Sequence, residues 1–446
     1  MYVKCKKKGY IMKNILSTLN NNILVGDGAM GTMLQKYGLV AGEIPEEWVI
    51  KYPERILNIH EEYINAGSML IETNTFGGNR IKLKMSGLEE KIEKINSEAV
   101  AIARRAARGK YVVGSVGPTG KMMEPYGKLS FTEAVKVYEE QINILASAGV
   151  DAILIETMSD LQEIRAAVVA ARDIKVPVIA QMTFSENNYT LTGNTPEVAA
   201  IVLDNLGADI IGVNCTSGII NTLPIIKRIH RVTSKPISVF PNAGKPVLKD
   251  GKVTYPQTPA KFVSNIDELL KSNVKIIGGC CGTTPEHIEM LVKKLDNNCA
   301  KITYKKQNDN DKILLAGSRE HIILSESDYI NEIKEKYNEQ NLKKFMQVLK
   351  ESDCDIIYMD IDKIKYENLA FGMQKPVIIK SNKEEDVEKF LQKYAGRALV
   401  FISQDRKDII SIASKYGAYI GNKDKRKKFY NSILKIKKPV AGLIKE

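Results

Sequence analysis

The chain has 446 residues, 44% apolar and 26% charged, which is ordinary for a soluble globular protein of one large domain plus a smaller one, or of two medium ones. Its net charge of +12 collects in 4–8, 305–306 and 423–428, with no Arg-rich helix, aromatic-interleaved basic strip or zinc-finger spacing, so nucleic-acid binding is not expected. No apolar stretch reaches the roughly 18 residues of a membrane span, and six unevenly spaced cysteines argue for free thiols in a reducing compartment instead of a disulfide framework.

Residues 1–13 read as an N-terminal extension. They are basic, but no uninterrupted apolar core follows, so a signal peptide is not expected and the setting is read as cytoplasmic. From Ile23 short apolar runs alternate with helical patterns. The runs are Ile23-Leu24-Val25, Met69-Leu70-Ile71, Tyr111-Val112-Val113, Ala152-Ile153-Leu154-Ile155, Val178-Ile179-Ala180, Ile210-Ile211-Gly212-Val213, Ile237-Ser238-Val239-Phe240 and Val274-Lys275-Ile276-Ile277. Amphipathic segments at 54–66, 131–148, 161–172 and 196–206 lie between them. Nearly continuous apolar strands of this kind belong to parallel sheets covered on both faces. Eight β-then-α units predict a (β/α)8 TIM barrel over 14–300. A doubly wound open sheet is weaker, because no Gly-rich dinucleotide loop follows the first strand.

In such a barrel the active site forms at the C-terminal ends of the strands. Strand one ends in Gly26-Asp27-Gly28-Ala29, strand two in Glu72-Thr73-Asn74-Thr75-Phe76, and strand four in Glu156-Thr157. Strand six ends in Asn214-Cys215, strand seven in Pro241-Asn242-Ala243-Gly244, and strand eight in Gly278-Gly279-Cys280-Cys281-Gly282. Carboxylates, amides and thiols therefore gather on one rim. Neighbouring strand residues point to opposite faces. The glycines around Cys280 and Cys281 would let both thiols turn to one side. With Cys215, they predict a zinc site with an open fourth position. The alternative is a set of buried structural thiols, or a vicinal disulfide between Cys280 and Cys281. Cys5, Cys299 and Cys354 read as ordinary free cysteines, and none of the four histidines has ligand spacing to another.

These motifs, in this order, resemble those of the homocysteine S-methyltransferase family, over roughly 14–300. The Pro-Asn-Ala-Gly segment is most similar to the homocysteine module of cobalamin-dependent methionine synthase. The resemblance implies zinc bound by Cys215, Cys280 and Cys281, and homocysteine as substrate, its ammonium facing Asp27 and Glu156. Backbone N–H groups around Gly28 and Ala29 would take its carboxylate. Thr73, Asn74, Phe76 and Asn214 would shape the pocket, and the Asn242 amide oxygen would hold the fourth zinc position until substrate arrives. The methyl donor expected is methylcobalamin on a separate corrinoid protein, with S-methylmethionine second. The competing expectation is a non-catalytic homocysteine-binding subunit of such an assembly.

Residues 301–312, rich in Asn, Asp and Lys, read as a linker. In 313–446 βα alternation resumes, with runs at 313–315, 356–359, 377–379 and 399–402 and helical patterns at 342–350, 385–394 and 408–416. This is too short for a second barrel of ~250 residues. It reads as a smaller α/β domain, faintly similar to a truncated pterin-binding barrel.

Overall fold

Ten strands of the computed structural model run from Leu24 to Ile277. They are β1 (Leu24–Val25), β2 (Leu70–Glu72), β3 (Tyr111–Val116), β4 (Ala152–Met158), β5 (Val178–Met182), β6 (Ile210–Asn214) and β7 (Ile237–Phe240), then a small antiparallel hairpin of β8 (Val247–Lys249) and β9 (Lys252–Thr254), and β10 (Val274–Ile277). All but the hairpin form one parallel sheet in the order β1-β10-β7-β6-β5-β4-β3-β2. The sheet curls nearly closed into the expected (β/α)8 barrel. The structure describes residues 14–298 apart from 21, 41, 250 and 251, together with 313–324, 330–337, 356–362, 366–402, 406–421 and 438–445. The predicted extension at 1–13, linker at 301–312 and helix at 342–350, with Cys5, Cys299 and Cys354, lie outside the described residues.

The strands are buried because helices cover their outer faces and side chains fill the interior. β3 is buried at every position. Several helices start on side-chain caps that the sequence supplies. Ser130 and Glu133 form a reciprocal capping box ahead of Phe131–Ser147, and Asp160 accepts from the Gln162 N–H ahead of Leu161–Ala170.

The two ends of the sheet order, β1 and β2, meet at a seam. The Met69 N–H donates to the Val25 carbonyl (2.7 Å), the Ser68 hydroxyl to the Gly26 carbonyl (3.2 Å), and the Glu72 N–H to Asp27 Oδ2 (2.9 Å). A carboxylate thus replaces a backbone rung. At the opposite end, the short helix Ile15–Leu19 buries Ile15 and Leu19 among Leu24, Leu70, Tyr111, Ala152 and Ile210, all at the N-terminal ends of barrel strands. Thr18 and Tyr111 join their hydroxyls at 2.6 Å beside this plug.

The chain divides into two compact units, Met1–Thr192 with Ala208–Lys306, and Gly193–Gly207 with Gln307–Glu446. The helix Pro196–Leu206, between β5 and β6 in sequence, thus groups with the C-terminal region. Its residues 196–203 and Leu206 are all buried, Glu197 included, and only Asp204 and Asn205 are half-buried, so its polar face is narrower than the periodicity predicts. In the second unit the Asn194 amide donates to the Ser318 carbonyl (2.7 Å). The run at 313–315 forms an antiparallel hairpin of β11 (Ile313–Ala316) and β12 (His321–Leu324) instead of opening a βα unit. A tight return at Gly317, whose N–H donates to the Glu320 carbonyl, folds it back. The remaining strands are β13 (Ile330–Tyr337), β14 (Ile356–Asp360), β15 (Val377–Lys380), β16 (Leu399–Phe401), β17 (Tyr419–Gly421) and β18 (Lys438–Lys445). They make a parallel sheet ordered β13-β18-β14-β15-β16-β17. Among the described residues, no helix is long and apolar enough to cross a membrane.

Candidate active site

Cys215 Sγ lies 2.7 Å from Cys280 Sγ and 3.8 Å from Cys281 Sγ, and the three sulfurs fall within 4.8 Å of one another. Local backbone explains the convergence. Cys215 follows the last residue of β6 and has φ +53°, the left-handed region that side chains rarely adopt. The turn brings both Cys215 and its neighbour Asn214 to the site, although successive strand residues would diverge. Thr157 repeats the device after Glu156 in β4, with φ +58°, where the β4–β5 ladder slips between Ile155 and Met158. Two non-glycine residues in this conformation on one rim mark a strained, over-determined site.

The glycines near the paired cysteines act differently from the expectation. Only Gly282 has positive φ, +79°, in the tight turn closed by the Thr283 N–H on the Cys280 carbonyl (3.1 Å). Gly278 and Gly279 are small for lack of room. A Cβ at Gly278 would stand 2.9 Å from the Asp27 carbonyl and from the Phe240 ring, and one at Gly279 would stand 2.4 Å from Thr283 Oγ1.

The sulfurs share protons unequally. Cys215 and Cys280 hydrogen-bond to Cys281 and pull its thiol down to about 3, with Tyr255 adding a further bond. The neighbouring Cys215 and Cys281 sulfurs, with burial, push Cys280 well up. A tetrahedral zinc site with Zn–S bonds of about 2.3 Å sets its sulfurs ~3.8 Å apart. Three thiols within 4.8 Å of one another are the soft donor set this ion takes; only Cys281 ionises readily by itself, and the Cys215–Cys280 pair sits closer than that spacing. Asn242, 6% exposed, donates its amide N–H to the Cys215 carbonyl (3.2 Å) and leaves Oδ1 buried without a partner.

Beside the thiols stands Glu156. Burial pushes it up to about 6 and the Cys281 charge adds to this, while bonds from Ser115 and Thr157 oppose it. Ser115 Oγ donates to Glu156 Oε1 (2.6 Å) and Asn214 Nδ2 to Oε2 (3.1 Å). Asn214 Nδ2 also lies 4.0 Å from Cys280 Sγ, so it bridges the carboxylate and the thiols. Asp27 is 2% exposed, with Oδ1 unpartnered. Burial raises its carboxyl well above the usual range.

The other predicted residues are placed more loosely. The Ala29 N–H is taken by Thr283 Oγ1 (3.1 Å), and Gly28 packs so closely on Thr283 and Tyr63 that a Cβ would lie 2.8 Å from each. Thr73 Oγ1 accepts the Ser115 N–H (3.1 Å), and the Asn74 amide donates to the Pro45 carbonyl (2.7 Å), tying down a rim loop. Phe76 is 37% exposed over Gly117. Two contributors were not anticipated. Tyr255 beside Cys281 follows a hairpin and carries no motif. Glu72 closes β2 inside the quoted motif, but its nearness to Asp27 and Glu156 is purely spatial.

Three convergent thiols beside buried carboxylates on the C-terminal rim define a (β/α)8 barrel with a trithiol site. Residues 24–295, more than half of the chain, match the family model for homocysteine S-methyltransferase, and the chain belongs to that family. It is 33% identical over 307 residues to the methionine synthase of Mycobacterium tuberculosis, covering 64% of this chain and 25% of that protein. It is 33% identical over 298 residues to the methionine synthase of Mycobacterium leprae, covering 62% and 24%. The chain thus spans about a quarter of the length of these relatives. The homocysteine methyltransferase MmuM from Escherichia coli, in its metallated form, superposes with TM-score 0.55 at 23% identity, covering 62% of this chain and 98% of that one. Its oxidized form gives 0.53 at 24%, covering 61% and 96%, and these likenesses bear on the fold alone.

Proposed function

We propose that the protein is a zinc-dependent homocysteine S-methyltransferase that forms methionine, acting in the cytoplasm on a methyl donor carried by a separate corrinoid protein, with S-methylmethionine the second donor. The observation that carries this reading is the trithiol cluster of Cys215, Cys280 and Cys281 next to the buried carboxylates Asp27 and Glu156. Zinc held by the three sulfurs would keep a substrate thiol ionised at neutral pH. Asp27 and Glu156 take the substrate ammonium, and the Gly28 backbone, with Ala29 already engaged by Thr283, is the remaining donor for its carboxylate. Asn214 fixes Glu156 relative to the thiols, and Thr73, Asn74 and Phe76 wall the pocket. The substrate sulfur forms a bond to the methyl carbon, and the donor leaves with the electron pair of the bond that breaks. No proton transfer from the protein is needed in that step. We assign Asn242 Oδ1 to the fourth metal position before substrate binds, and residues 313–446 a structural or docking role.

The test is a donor panel on the zinc-loaded protein with methylcobalamin, S-methylmethionine, S-adenosylmethionine, betaine and methyltetrahydrofolate, beside Cys281→Ser. Methionine formation from one donor, lost with the bound zinc in Cys281→Ser, is expected. Stoichiometric zinc without turnover on any donor would favour a non-catalytic homocysteine-binding subunit. Zinc-edge absorption of substrate-free Asn242→Ala should differ from wild type, and identical spectra would remove Asn242 from the metal.

A further inference from the structure

Glu72 ends β2 and stands next to both other acidic residues of the rim. Its N–H donates to Asp27 Oδ2 at 2.9 Å, and its carboxyl lies near enough to those of Glu156 and Asp27 for their charges to push it well up, after burial. Three strands, β1, β2 and β4, therefore bring three mutually interacting carboxyl groups to the same part of the rim. The strongest influences on them are burial, each other, their bonds to neutral groups and backbone N–H and, for Glu156, the Cys281 charge; no lysine, arginine or histidine is prominent among these. Tyr63 from the helix Pro53–Asn65 reaches toward them, but its hydroxyl donates to the Ala29 and Thr283 carbonyls (3.2 Å each). Asp27 Oδ1 and Glu72 Oε1 are both buried without a partner.

Buried carboxyls without a compensating partner are costly. What the cluster lacks is a cation from outside. An α-ammonium has three N–H donors, as a lysine head group has. Asp27 Oδ1, Glu72 Oε1 and Glu156 offer one acceptor each. We propose that Glu72 is the third ammonium-binding carboxylate of this site and that the trio selects thiols bearing a protonated α-amino group over thiols without one. This rests on the homocysteine reading above. Glu72 is a substrate-binding residue in it and takes no part in the methyl transfer.

The experiment compares zinc-loaded wild type and Glu72→Gln by calorimetric titration with L-homocysteine and with 4-mercaptobutanoate, which lacks only the amino group. Glu72→Gln should weaken homocysteine binding by about tenfold to a hundredfold, the worth of a charge-assisted hydrogen bond, and leave 4-mercaptobutanoate unchanged. The unliganded variant should melt no lower than wild type, because a neutral amide removes a buried carboxyl that burial and its acidic neighbours disfavour. Equal weakening of both thiols, or a lowered melting temperature with both lost, would make Glu72 structural and overturn the proposal. So would an unaltered preference for homocysteine. Absence of homocysteine binding by the zinc-loaded wild type would overturn the functional reading itself, a result distinct from wild-type binding that Glu72→Gln leaves untouched.

Discussion

At the scale of single residues, the rim is built by side chains held where ordinary strand geometry would not put them. Cys215 and Thr157 occupy left-handed backbone at the ends of β6 and β4, and each lets two successive residues serve one site. Such positions cost of order 1–3 kcal/mol each and persist because the surroundings enforce them. A second residue under constraint is His60, fully buried in Pro53–Asn65 with neither ring nitrogen hydrogen-bonded. Burial lowers its pKa from 6.5 to about 4. The depressed value means the unfolded chain binds the extra proton first. The stability from keeping this ring neutral is complete above pH 6.5 and drains as the pH falls toward 4, by about 3 kcal/mol. Urea unfolding at pH 7.5 and 4.5 should show a smaller loss in His60→Leu than in wild type, and equal losses would refute this.

At the scale of elements, the barrel was legible because its strands are apolar runs bounded by helical periods, a pattern only a doubly covered parallel sheet explains. The thiol cluster was legible because strand ends share one rim, whatever their separation in sequence. The role of the glycines was misread. Sequence suggested freedom at 278, 279 and 282 alike, whereas the first two answer to contacts from Phe240, the Asp27 carbonyl and Thr283 made by distant segments. Glu72 and Tyr255 were hidden for the same reason, since proximity across the barrel leaves no mark on local pattern. The plug Ile15–Leu19 likewise carries no local signal. Five residues are too few for a helical period, and the helix exists because its two apolar side chains close the floor of the barrel. Leu19→Ala should cost about 3 kcal/mol in unfolding free energy through the cavity it leaves, with zinc content unchanged; a loss under 1 kcal/mol would show that the floor seals itself.

At the scale of the whole molecule, chain order and packing order disagree. The boundary expected at 301–312 describes the sequence, yet Gly193–Gly207 groups with Gln307–Glu446. Its helix, buried at 196–203 and Leu206, carries the clue in the unbroken apolar run at 198–203. A chain shortened after Lys306 would strip Asn194, just ahead of that helix, of its bond to Ser318. It should melt several degrees lower than the full chain and bind the dye ANS in its native baseline, and matching melting curves would show that the barrel needs nothing from the C-terminal region.

The seam between β1 and β2 ties these scales together through Asp27. One oxygen of its carboxylate stands in for a backbone rung by accepting the Glu72 N–H, while the other faces the acidic trio. A ligand held by that free oxygen therefore braces the place where the barrel is closed by the fewest bonds. Amide hydrogen exchange at Glu72 and Met69 should slow when the site fills, more than at the continuous ladders on the far side. It follows also that substitution of Asp27 opens a joint as well as emptying a pocket, so evolution has freer hands at Glu72 than at Asp27 for changing which amino thiol is accepted.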